Sequence, residues 1–296
     1  MKNKILITGG SGFLGGHLID LLIEKNYKVI NIDTKQYKLE HKNYSYIDSN
    51  KLTNKFFQKI INNSETIFHF AAQSDIEQSY KNPKETLLNN INSTINILDL
   101  VSKSKKRINF IFASTLYVMG NKGSFYKISK QCCEKILSEY VKNFNFNYSI
   151  LRFGTIYGPR SGKLNSVYNV LSKSLNKDNI EINGRGDEVR EFIHVKDVAN
   201  ACLKIVEKKI FNKIILITNN QKIKLKDLTN IINEMFGFKK KFKFLGSKKS
   251  HYKFTPYNVG EDDIVLKINL DQFRGLEEGL IETINTIKKN NSLKKN

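Results

Sequence analysis

Apolar residues along the chain recur in two periods. Ile5 to Ile7, Tyr27-Lys-Val-Ile-Asn-Ile32, Thr66-Ile-Phe-His-Phe-Ala-Ala72, Ile108-Asn-Phe-Ile-Phe-Ala113, Tyr148-Ser-Ile-Leu-Arg-Phe153 and Lys213 to Thr218 are short, mostly apolar runs. Such runs are how parallel strands read when both of their faces are covered. Between them the period changes to that of a helix: Leu14, Leu18, Leu21 and Leu22 share one face, and helical stretches are predicted around Leu52 to Ile61, from about Lys84 to Lys103, from Tyr126 to about Asn143 and from Val198 to Glu207. Tyr44-Ser-Tyr-Ile47 reads as a weaker third strand. Strand and helix in alternation predict an α/β fold, a doubly wound, Rossmann-like parallel sheet.

Beyond Arg160 the alternation breaks. Residues 161–190 read as a mostly helical excursion, Phe192 to Val195 as a return to the sheet, and 224–236 as a further helix. The basic, aromatic segment Phe238 to Tyr257 carries no clear period, a last helix starts near Leu276, and Lys288 onward reads as a frayed, charged tail. The expected division is a dinucleotide domain over 1–160, rejoined by 191–218, a smaller α/β substrate domain from 161–190 and 219–287, and a tail at 288–296.

The chain's 296 residues, 40% of them hydrophobic, suffice for a substantial core. A formal charge of +21 raises nucleic acid as a partner. The lysines, however, are spread through every segment among Asn and Ile, with no nucleic-acid motif, so no specific nucleic-acid partner is expected. Cys132, Cys133 and Cys202 lack metal or disulfide spacing, and the five histidines form no ligand pair, so no metal site is expected. No apolar run approaches the roughly 20 residues of a membrane span, and the expected location is the cytoplasm, away from membranes.

Candidate chemistry starts at the first strand. Ile5 to Ile7 breaks into Thr8-Gly9-Gly-Ser-Gly12-Phe-Leu-Gly15, and a helix follows at once. In such a turn the first glycine bends the chain, the second admits a pyrophosphate to the backbone, and the third lets helix and strand pack closely. The second strand ends in Asp33, about 20 residues on, where a carboxylate bonds ribose hydroxyls and repels a 2′-phosphate. NAD is therefore favoured over NADP. Asn90 interrupts a predicted helix despite its poor propensity; it is either a solvent-exposed amide or one that reaches the nicotinamide half. Tyr126 and Lys130, four apart, share a helical face.

Together Thr8-Gly9-x-x-Gly12-x-x-Gly15, Thr115 with Tyr126-x-x-x-Lys130, Leu151-Arg152 with Tyr157-Gly-Pro-Arg160, and Arg190-Glu-Phe-Ile-His-Val-Lys-Asp-Val198 resemble the extended short-chain dehydrogenase/reductase family, in particular its sugar-nucleotide epimerase/dehydratase group. The resemblance runs from residue 4 to about 285. It implies a bound NAD contacted by Gly9, Gly12, Phe13, Leu14 and Gly15, with Asp33 on the adenine ribose, Asp48 or a neighbour on adenine, and Ala71, Ala72 and Asn90 lining the rest. Thr115, Tyr126 and Lys130 would be catalytic. Arg190 would bind the diphosphate of a nucleoside-diphosphate sugar, with Thr155 standing where an Asn commonly contacts that substrate. A homodimer built on the two long helices is a further expectation from the resemblance.

In such a site Thr115 would orient the sugar hydroxyl, and Tyr126 would take its proton. A phenol with an ordinary pKa near 10 is a poor base, and Lys130 with a cationic nicotinamide should lower it. Lys130 would also hold the nicotinamide ribose.

The dehydratase pattern carries Asp-Glu directly after the catalytic Thr, and the decarboxylase pattern Glu at the second of these positions. Leu116 and Tyr117 stand there instead. Only five residues separate Gly120 from Tyr126, a shorter loop than the family's, and Met119 replaces a usual Tyr. By elimination the expected activity is an NAD-dependent sugar-nucleotide 4-epimerase working through a transient 4-keto sugar. A sugar-nucleotide dehydrogenase or ketoreductase is the nearest alternative, and a non-catalytic NAD sensor a distant one.

Overall fold

The computed structural model describes residues 4–246 and 265–292. The first half of the chain forms β1 (Lys4–Thr8), α1 (Phe13–Glu24), β2 (Lys28–Asp33), β3 (Tyr44–Asp48), α2 (Asn54–Asn62), β4 (Thr66–His69), α3 (Ile76–Lys81), α4 (Pro83–Ser102), β5 (Asn109–Thr115), α5 (Ser124–Asn143) and β6 (Asn147–Phe153). The second half adds β7 (Thr155–Tyr157), α6 (Ser166–Ser174), β8 (Asn179–Ile182), β9 (Val189–Arg190), β10 (Phe192–His194), α7 (Val195–Glu207), β11 (Lys213–Ile217), β12 (Ile223–Lys224), α8 (Leu225–Met235), β13 (Lys241–Phe244), β14 (Val265–Lys267) and α9 (Leu276–Ser292).

The eight-stranded sheet runs in the order β14-β11-β6-β5-β4-β1-β2-β3, with every pairing parallel. Strand order reverses between β1 and β4, and a crevice at the carboxyl ends of these two strands is where a doubly wound sheet takes its ligand. The sheet separates two apolar cores because alternate residues of one strand point to opposite faces. Ile5, Ile7, Phe68 and Ile111 pack toward α1 and α7, while Leu6, Ile67, Phe110 and Phe112 pack toward α2, α4 and α5. Covering both faces is what makes the strand runs continuous in sequence.

A third core joins α6, α8 and α9 with Ile180, Ile182 and Phe192 to make the smaller substructure. Here the structure departs from the sequence reading in four ways. Within 161–190 only Ser166–Ser174 is helical, and Asn179–Ile182 is a strand. Residues Phe192–His194 do not rejoin the large sheet but pair with β7 in a ribbon of their own, and the return is made by β11. Val265–Lys267, inside the stretch assigned to the substrate part, forms the far edge of the large sheet. The last helix continues past Lys288 to Ser292, with Leu280, Ile284 and Ile287 buried along the face that precedes this extension. The unassigned basic segment supplies β13, which pairs in parallel with β8; its remainder, 247–257, lies outside the described residues. Among the described residues no helix is long and apolar enough to cross a membrane.

Candidate active site

The glycine turn sits at the reversal point. Gly9 has φ +75°, and a Cβ there would lie 2.5 Å from the backbone nitrogen of Ala71 as β4 exits beside it. Gly15, buried on α1, would set a Cβ 2.5 Å from the carbonyl oxygen of Gly9 and 2.6 Å from Gly10 Cα. These two glycines are demanded by the chain's own packing. Gly12 is not: its φ is −74°, and a Cβ would meet only one neighbour, the Gly9 carbonyl, at 3.2 Å. The missing side chain leaves a cradle in front of the first turn of α1. That helix opens without a side-chain cap or an acidic residue, so backbone N–H groups and the helix dipole face the cradle, the environment an anionic pyrophosphate requires. The residues present fit a dinucleotide.

Asp33 ends β2 beside this turn. Its Oδ2 accepts from the Ser11 N–H at 2.9 Å and its Oδ1 from the Lys35 N–H at 3.2 Å. Asp48 is its register neighbour on β3 and accepts from the Asn50 N–H at 2.9 Å. Phe13 and Leu14 lie in the first turn of α1, and Ala71 and Ala72 in the exit from β4, all half-buried.

Asn90 is not the solvent-exposed amide of the first reading. It is 2% exposed; its Oδ1 accepts from the Gln73 N–H at 2.7 Å, and its Nδ2 donates to Gln73 O at 3.0 Å and Ser129 Oγ at 2.9 Å. Both amide hydrogens are thus spent on the chain itself. Asn90 ties the loop after β4 to α4 and α5, which explains an Asn inside a helix without a donor left for the nicotinamide.

A cleft of about 830 Å³ opens between the sheet's carboxyl edge and the smaller substructure. Thr115, Tyr126, Thr155 and Arg190, remote in sequence, all line it. Thr115 arrives at the end of β5, Tyr126 in the first turn of α5, Thr155 at the start of β7, and Arg190 on β9 where it pairs with β12. Arg190 Nη1 donates to Val189 O at 2.8 Å. Asn165, the cap of α6, donates from Nδ2 to Ile156 O at 2.7 Å and also lines the cleft; the sequence reading missed it.

The Thr115 hydroxyl and the Tyr126 phenol line the same wall of the cleft, close enough for Thr115 to act on the phenol. Burial pushes the Tyr126 phenol up to about 12, and Thr115 pulls in the opposite direction. This corrects the expectation that Lys130 would lower it. Lys130 is 3% exposed; its Nζ donates to Ala113 O at 2.7 Å and sits 4.7 Å from the centre of the Phe112 ring. Burial holds that ammonium down to about 8, against the opposing pull of Cys133 and Glu134. Its charge is engaged one layer below the phenol. Leu116 is 1% exposed and faces the core, whereas Tyr117 lines the cleft.

Residues 5–217 match the family described as NAD dependent epimerase/dehydratase. A Methanocaldococcus jannaschii protein provisionally named a UDP-glucose 4-epimerase is 27% identical over 309 residues, 97% of this chain and 99% of that protein. A UDP-N-acetyl-alpha-D-glucosaminuronate decarboxylase of Bacillus cytotoxicus is 26% identical over 316 residues, 96% of this chain and 97% of that one. Among solved structures, the Bacillus cereus UDP-glucuronic acid 4-epimerase in complex with UDP-glucuronic acid and NAD superposes with a TM-score of 0.85 at 24% identity, covering 97% of this chain and 99% of that one. With a dinucleotide turn, a Thr-Tyr-Lys constellation and a family match over most of its length, the chain belongs to the NAD-dependent epimerase/dehydratase family.

Proposed function

We propose that this protein is a UDP-sugar 4-epimerase that uses NAD, with Thr115, Tyr126 and Lys130 as its catalytic residues and Thr155 and Arg190 on the substrate. The observation that carries the reading is that Thr115 and Tyr126 line one cleft, with Leu116 and Tyr117 standing where the family's dehydratases and decarboxylases carry carboxylates. The relatives span these reactions, so these two positions decide among them.

Thr115 holds the C4 hydroxyl of the sugar and aims its proton at Tyr126. Tyr126 accepts that proton as phenolate and returns it as phenol, and acid–base help of this kind is worth about 10²–10⁴ in rate. Lys130, fixed on Ala113 O, holds the nicotinamide ribose and keeps positive charge beneath the phenolate. Arg190 bonds the diphosphate, leaving the sugar free to present either face. NAD, when bound, supplies the hydride acceptor and donor and a positive ring charge that favours the phenolate. With Leu116 and Tyr117 in place of the family's acid–base pair, elimination of water from the keto sugar is disfavoured, and reduction on its other face gives the C4 epimer. The two long helices α4 and α5 pack side by side and are the surface on which a homodimer would form.

The test is incubation of the purified protein with UDP-glucose, UDP-glucuronate and UDP-N-acetylglucosamine, with products followed by NMR and mass spectrometry. The expected product has unchanged mass and inverted C4, without stoichiometric NADH, and is lost in Tyr126→Phe. Loss of one water, or a full yield from Tyr126→Phe, would refute the mechanism.

A further inference from the structure

Parity along β5 separates two adjacent hydroxyls. Thr115 is turned to the cleft and Tyr126, while Ser114, 2% exposed, is turned to the α5 side of the sheet. There it meets Glu134. Ser114 Oγ donates to Glu134 Oε1 at 2.5 Å; Arg152, its register partner on β6, donates from Nε to Oε1 at 3.1 Å and from Nη2 to Oε2 at 2.7 Å. The Arg152 and Glu134 side chains are 14% and 11% exposed. Both carboxylate oxygens are therefore bound to the ends of the two strands that precede and follow α5.

Glu134 lies four residues beyond Lys130 and eight beyond Tyr126, so the three follow one another down a single face of α5. The helix has no side-chain cap at its start, where Gly123 enters at φ +108°. Its rotation and height against the sheet must be set further along. A nearly buried, three-bonded carboxylate does this with more directional force than apolar packing, since charge-assisted bidentate pairs fix both distance and angle. The motif residue Arg152, to which the catalytic scheme gives no part, thereby acquires one.

We propose that Glu134, held by Ser114 and Arg152, is the positioning residue that sets the register of α5, so that the Tyr126 oxygen meets Thr115 and the substrate hydroxyl. The proposal rests on the catalytic roles given above to Thr115 and Tyr126, and it concerns geometry rather than binding. Misplacing Tyr126 by a fraction of an ångström lowers turnover and leaves the contacts of NAD and of the nucleotide intact.

The test uses Glu134→Gln, which keeps the shape and an acceptor for Ser114 but loses the carboxylate facing Arg152, together with the milder Ser114→Ala. Expected values are a kcat lower by roughly 10- to 100-fold for Glu134→Gln and about 3- to 10-fold for Ser114→Ala, with KM for the UDP-sugar and Kd for NAD within about threefold of native. A second readout is independent of activity. With tyrosine labelled at Cζ, the Tyr126 resonance, assigned by its loss in Tyr126→Phe, should move in both variants. A kcat within twofold of native, or an unmoved Tyr126 signal, would overturn the proposal even if the melting temperature fell. If Glu134→Gln does not fold, Ser114→Ala decides by the same two readouts. Should the native chain turn over no sugar nucleotide, the functional reading fails, and the Cζ resonance alone decides the role of Glu134.

Discussion

Gly12 and Gly15 belong to one motif, yet alanine should damage them in opposite ways. At Gly15 the new Cβ would meet three backbone atoms, at 2.5, 2.6 and 2.9 Å. Backbone cannot swing aside as a side chain does, so α1 must move off the turn. Overpacking of this kind costs about 1–3 kcal/mol or more, against a gain of up to about 1 kcal/mol for Ala over Gly inside a helix. The net loss should be about 2 kcal/mol. At Gly12 the φ of −74° suits alanine, and one 3.2 Å contact is all that tightens. The fold should lose about 1 kcal/mol or less, the cost of a poorer cap. The methyl instead fills the cradle before α1 and denies a pyrophosphate its charge-assisted N–H bonds. Two of these, at about 1.5 kcal/mol each, correspond to a rise of roughly 100-fold in the Kd for NAD. Urea unfolding and calorimetric titration of NAD separate the two effects. If Gly12→Ala binds NAD within threefold of native, or Gly15→Ala unfolds at the native midpoint, the assignment of the cradle is wrong.

Three further outcomes can be measured. Burial holds His17, His69 and His194 down to about 4, 3 and 4, from an ordinary 6.5. Protons then bind the unfolded chain first, so stability is full above pH 6.5, falls as the pH drops toward 4 and levels off below. At pH 5 each histidine should cost about 2 kcal/mol relative to pH 8, and an unfolding free energy that is flat between these values would contradict this. Asn90→Ala leaves Gln73 N–H and C=O without their partner and should cost about 2–3 kcal/mol in urea unfolding; a loss below 0.5 kcal/mol would show that the amide is not the tie described. Arg190→Met should raise KM for the UDP-sugar by about tenfold or more, with the NAD affinity unchanged, as steady-state kinetics and calorimetry can show.

The cofactor half was legible because its parts are local. Gly9, Gly12, Gly15 and Asp33 fall within two strands and a helix, and the turn's chemistry is carried by residues that nothing else replaces. Thr115, Tyr126 and Lys130 could be singled out by spacing on one strand end and one helix. The far wall of the cleft draws Thr155, Asn165 and Arg190 from separate segments, and of these only Arg190 lies in a motif quoted from the sequence. β13 left a faint signal, the alternation Lys241-Phe-Lys-Phe244, but its partner β8 lies far off in sequence. The burial of Asn90 was hidden for the same reason: its partners, Gln73 and Ser129, are distant in sequence.

The two departures beside Thr115 belong to one structural solution. Gly123 adopts φ +108° and lies so close to Tyr117 that a Cβ there would be 2.8 Å from the Tyr117 Cβ and Cδ1 atoms. The short loop from Gly120 is therefore folded down onto the Tyr117 side chain before α5 starts, with Lys127 Nζ donating to Gly120 O at 3.4 Å. A longer loop would stand clear of position 117 and leave room there for a solvated carboxylate; this one needs an apolar ring to rest on. A charged side chain at 117 would lose part of its hydration against Gly123. The shortened loop and the tyrosine at 117 thus fit one another.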